Sequence, residues 1–132
     1  MNSKNSWFEK NVEAELRERG TSFSDELFRY IDLKELKDAY VYKRARIDRK
    51  LFSKIRKGGY HPSKPTIIAL ALALELDYTE TISLLSYAGY TLSTSLSMPF
   101  DIIVTKAIQN KIYDIDTVNE RLYCYGLPLL GC

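Results

Sequence analysis

The stretch that decides the fold is Ile47-Asp48-Arg49-Lys50-Leu51-Phe52-Ser53-Lys54-Ile55-Arg56-Lys57-Gly58. Asp48 is placed to cap a helix, because a short side-chain oxygen there can accept the free N–H groups of the first turn. Phe52 and Ile55 then share one face of that helix, with Leu51 beside them, while Arg49, Lys50, Ser53, Lys54 and Lys57 fall on the other. Gly58-Gly59 ends it, since glycine tolerates the left-handed conformation in which helices stop. The pattern predicts a short cationic helix over 49–57 with one face in a core and one in water.

The charge around this helix is unevenly placed. From Lys43 to Lys57 there are eight basic residues and one acid, Asp48, a net charge of +7. The whole chain carries +2, so the remainder carries −5. A basic block in an otherwise acidic protein is an electrostatic footprint for phosphates, although a solvated helix face can be charged for solubility alone.

Working outward, the other segments read as helices too. Phe8, Val12 and Leu16 recur at i, i+4 and i+8, predicting a leading amphipathic helix over 6–19 that stops at Gly20. Ser22 with Asp25 suggests a capping box for a second helix, about 24–35. A short helix from Asp38 to about Ala45 precedes the basic one. After Tyr60-His61-Pro62, Ser63 offers a cap and Pro65 sits in a first turn, where its missing N–H is harmless. The helix 64–76 is nearly all Ala, Leu and Ile, so it belongs at the centre. Asp77 and Glu80 cap the next helix, which runs to about Tyr87 and ends at Gly89. Helices over 100–111 and 117–125 follow, the last with Thr117 and Glu120 as a capping box. No useful β alternation and no internal repeat is present.

The expectation is therefore one all-α domain spanning 1–132, with a core of 24–88, a leading helix 6–19 and a C-terminal helical extension 100–126. The start has no secretory pattern, the longest apolar run is too short to cross a bilayer, and Cys124 and Cys132 cannot make a disulfide framework. These features predict a cytoplasmic protein. Cys124 reads as a partly buried thiol and Cys132 as a tail thiol.

The stretch from Ile47 to Gly58, followed by His61-Pro62-Ser63 and Thr66-Ile67-Ile68-Ala69-Leu70-Ala71-Leu72-Ala73-Leu74, resembles the lambda-repressor-like (XRE or Cro/cI-type) helix-turn-helix family. That family has an aliphatic turn residue, a capping residue, a recognition helix with an aliphatic-Ser-x-Ile core, a glycine stop, a loop ending in Asn-Pro-Ser and an Ala/Leu-rich fourth helix. The resemblance covers roughly 24–88. It implies a repressor-like helix-turn-helix bundle carrying one extra N-terminal and two extra C-terminal helices. It also implies a bacterial or phage-like transcriptional regulator that binds double-stranded DNA without catalysis or cofactor.

By the same resemblance Val41 and Ala45 are core positions of the first motif helix, and Ile47 plugs the turn. Arg49, Lys50, Ser53 and Lys54 face base edges in the major groove, and Arg44, Arg46, Lys57 and Lys64 meet phosphates. The chain departs from the family at five places. Asp38 stands for a Gln, Tyr42 for a small Ala, Arg46 for the turn Gly, Asp48 for a Ser or Thr cap and Arg56 for a Glu. RNA or an acidic protein, in an adaptor or antitoxin role, is the alternative partner for the same basic face.

Other features point to bulk roles. His61 has no ligand set near it in sequence, which favours packing over metal binding, and no Walker, Gly-x-Ser-x-Gly or Gly-x-Gly-x-x-Gly pattern exists. The chain reads as non-enzymatic. Tyr40, Tyr42 and Tyr60 flank the basic block and serve either as semi-buried packing residues or as stacking surfaces for unpaired bases. The leading helix and the tail Cys124–Leu130 either cover the core or form a homodimer or partner surface.

Overall fold

The computed structural model describes residues 3–131, with side chains for 5–16 and 23–131. Seven helices and no strand occur among the described residues: α1 (Ser3–Leu33), α2 (Asp38–Arg44), α3 (Arg49–Lys57), α4 (Lys64–Ala73), α5 (Tyr78–Tyr87), α6 (Pro99–Gln109) and α7 (Ile115–Cys124). The all-α expectation holds. Cys132 lies outside the described residues, and Cys124 is exposed rather than partly buried.

The centre is α4. Ser63 caps it by accepting from the Thr66 N–H, Pro65 occupies its first turn, and Thr66 through Ala73 are all buried. A helix apolar on every side has to be surrounded, and α2, α5 and α7 all pack on it. The C-terminal half of α1 lies on α5 and α3, burying Phe23, Leu27, Tyr30 and Ile31. The α5 cap forms as expected: Asp77 accepts from the Glu80 N–H at 2.8 Å, and Glu80 accepts from the Asp77 N–H at 2.9 Å. The pair α6 and α7 pack on each other and against the central layer.

Six of these seven helices stop in the same way. After α1, α2, α4, α5, α6 and α7 the chain places Glu35, Arg46, Glu75, Gly89, Lys111 and Gly126 at positive φ. The next N–H returns to the carbonyl five residues back, as in Leu36 to Ile31 at 3.1 Å, Ile47 to Tyr42 at 2.9 Å and Ile112 to Ala107 at 2.8 Å. This is the Schellman closure, and each time the closing residue is apolar: Leu36, Ile47, Leu76, Tyr90, Ile112, Leu127. Four of the six left-handed positions hold Glu, Arg or Lys, where a Cβ adds strain that the closing contact offsets.

The same rule explains the first of two corrections. The stop expected at Gly20 does not occur, and the helices predicted over 6–19 and 24–35 are one continuous helix, α1. Gly20 is followed by Thr21, a small polar residue where the other stops have Leu, Ile or Tyr, and an interior glycine costs a helix only about 1 kcal/mol. The capping box predicted at Thr117 and Glu120 is also displaced. Asp114 caps α7 by accepting from the Thr117 N–H at 3.0 Å and its hydroxyl at 2.8 Å, so the helix begins at Ile115.

Candidate nucleic-acid interface

The basic helix α3 is held at both ends and along its inner face. Asp48 accepts from the Lys50 N–H at 2.6 Å, and Gly58 leaves the helix at φ +80°. Phe52 is buried between Phe28 and Tyr42, with both ring centroids 5.5 Å away. The buried Ser24 hydroxyl of α1 donates to the Ile55 carbonyl at 2.9 Å, satisfying one of the acceptors that a helix C-terminus leaves open. Val41, Ala45, Ile47, Phe52 and Ile55 are all buried, in the positions expected of them. A four-residue turn, 45–48, joins α2 to α3.

Five of the eight predicted site residues come together on the outer side of α3. Arg49, Lys50, Ser53, Lys54 and Lys57 are all exposed. At 3.6 residues per turn, Lys50, Lys54 and Lys57 form one stripe with Ser53 beside it. Among the described residues none of these four cations has a carboxylate within salt-bridge distance. Among the described residues no acid offsets their charge at close range.

The other three predicted cations are engaged. Arg44 donates to the Tyr40 hydroxyl at 2.8 Å and to Glu75 at 3.3 Å. Arg46, at φ +58°, donates to Asp116 at the start of α7 at 2.6 Å, and the backbone of Gly131 rests against its Cβ. Lys64 is turned inward: its ammonium meets the buried carboxylate of Asp101 at 2.7 Å, and Asp101 also accepts from the Ser93 N–H at 2.7 Å. Lys64 is thus a tie between α4 and α6. Arg56, within the same charge block, is bound to Asp38 and lies over the Phe28 ring at 4.2 Å.

Sequence reasoning passed over Lys43 as a site residue. It is exposed on the last turn of α2, next to the turn that leads into α3. Its place in the charge block was the available signal. The aromatic candidates divide. Tyr42 packs on Phe52 and Tyr40 bonds Arg44, whereas Tyr60 is exposed just past α3. His61 bonds the Ala88 carbonyl at 2.7 Å and lies beside Tyr90, a packing role. Among the described residues no cluster of His, Cys, Asp or Glu could hold a metal ion, and no helix is long and apolar enough to cross a membrane.

Compared with protein-family models, curated proteins and solved structures, the chain has no match to any of them.

Proposed function

We propose that this chain is a DNA-binding transcriptional regulator of the repressor-like helix-turn-helix type, acting in the cytoplasm without catalysis or cofactor. In this reading α2 lies across the backbone and α3 enters the major groove. One observation supports it above the others: the fold pairs Arg44, Arg46, Arg56 and Lys64 with acids, whereas Arg49, Lys50, Lys54 and Lys57 share one exposed face and have no acid partner among the described residues. A stripe of uncompensated cations on a narrow, rigidly mounted helix suits a polyanion, and lysine or arginine can pair with guanine O6 and N7.

Selection from a random-sequence duplex pool tests the reading. Recovery of one motif is expected, with Lys50→Ala changing the preferred sequence. Lys57→Ala should lower affinity evenly over all sequences and reduce the salt dependence by about one phosphate contact. A pool that returns no motif, while RNA or an acidic protein binds the same face, assigns the surface to the alternative partner.

A further inference from the structure

Among the described residues the N-terminal part of α1 has no packing partner. From residue 5 to 16 every side chain except Ser6 is exposed, and the stripe Phe8, Val12, Leu16 is 62%, 39% and 59% exposed. This stripe lies on the face that buries Phe23, Leu27 and Ile31 further along, since the steps are four or seven residues. The helix therefore carries its docking face beyond the body that it docks to. At 1.5 Å per residue Phe8 stands about 22 Å from Phe23 along the axis, so a continuous helix cannot return it to its own core.

The charges beside the stripe select its partner. Within Phe8–Leu16, Glu9 and Glu15 flank it and Glu13 lies next to Glu9, against Lys10, with Lys4 before this span and Arg17, Glu18 and Arg19 after it. Helices that lie on membranes carry Lys and Arg on the polar face, and a nucleic acid would be repelled. Two such arms crossing at Val12 would set Glu9 of one against Glu15 of the other. The arm calls for an apolar groove with a cationic rim.

The chain has such a groove. A cavity of about 340 Å³ lies between α6 and α7, with Ile103, Ala107 and Val118 among its lining residues and Lys106, Arg121 and Glu120 at its edge. Lys106 and Arg121 are exposed and, among the described residues, have no carboxylate within salt-bridge distance. We propose that the Phe8–Leu16 arm of one copy seats in the α6–α7 groove of a second copy, and that the exchange is reciprocal. Two such contacts, arm to groove and groove to arm, close a two-fold dimer. The apolar side chains fill the groove while the glutamates meet Lys106 and Arg121.

Sedimentation of the full chain without nucleic acid tests this independently of any DNA-binding role. The unmodified chain is expected to be a dimer at micromolar concentration. Phe8→Glu, which alters a residue outside the core, and the double variant Lys106→Glu/Arg121→Glu should each weaken association by about tenfold or more. Mixing the two variants should then restore a heterodimer, because one intact arm still meets one intact groove. A monomeric unmodified chain overturns the proposal. So does a dimer sensitive to Phe8→Glu alone, which is what an arm-to-arm contact gives, or a mixture in which no heterodimer forms.

Discussion

Arg56 on α3 donates through Nε to the Asp38 carboxylate at 3.1 Å, and its guanidinium covers the Phe28 ring. These two residues are two of the five departures from the repressor-like pattern, and each answers the other's charge. The pair fastens the start of α2 to the end of α3 and sets one acid against one base. Both side chains are well exposed, so Asp38→Asn should cost only about 0–1 kcal/mol of stability. It should strengthen binding to any polyanion and steepen the salt dependence by about one contact, measured by titration at several salt concentrations.

The Lys64–Asp101 pair behaves differently because the carboxylate is only 1% exposed. Asp101→Ala leaves the Lys64 ammonium and the Ser93 N–H without their acceptor, and should cost about 3–5 kcal/mol in a denaturant titration. Lys64→Met should destabilise the fold while leaving the salt dependence of nucleic-acid binding unchanged. A reduced salt slope in Lys64→Met would place this ammonium on the ligand.

The left-handed helix stops offer a stabilising substitution. Lys111 adopts φ +56° on an exposed turn, and Lys111→Gly should gain about 0.5–1 kcal/mol, seen as a raised Tm. Gly131→Ala should do the reverse. A Cβ there would lie 2.9 Å from the Arg46 carbonyl oxygen and Cβ, at φ +85°, so the tail must lift from the turn that precedes α3.

The mounting of α3 depends on Phe52. Phe52→Ala should cost about 3–5 kcal/mol by opening a cavity between Phe28 and Tyr42. Thermal unfolding measures the loss.

At low pH one weak point is the start of α7. Hydrogen bonds from the Thr117 hydroxyl and backbone N–H hold the Asp114 carboxyl below its ordinary value of 3.8. A carboxyl whose folded value is depressed contributes stability that is present above the unfolded value and lost as the pH falls through the folded one. Stability should therefore drop below about pH 4, and Asp114→Asn should flatten that part of the profile in acid titrations followed by circular dichroism.

Local signals made most of the fold legible. Asp48, Ser63 and Asp77 cap the helices that their positions announced, because a cap is decided within three residues. The misreading at Gly20 came from weighing the glycine and not its successor: the actual stops at Glu35, Arg46, Glu75 and Lys111 lack glycine and share the apolar residue that follows. The site was legible as a charge block, and its outer stripe follows from helical period alone. Which of its cations are occupied was not, since Arg56 meets Asp38 across 18 residues, Lys64 meets Asp101 across 37 and Arg46 meets Asp116 across 70. Those partners are set by packing, and no spacing rule foretells them.

The unbroken run of α1 through Gly20 gives the molecule a lever. Its fulcrum is the packed segment from Phe23 to Ile31, and a tilt of about 5° there sweeps Phe8 through about 2 Å, given the 1.5 Å rise per residue. Ser24, which holds α3 by its Ile55 carbonyl, sits beside the fulcrum and barely travels. The outer end can therefore search an arc for its seat while the basic helix keeps its aim.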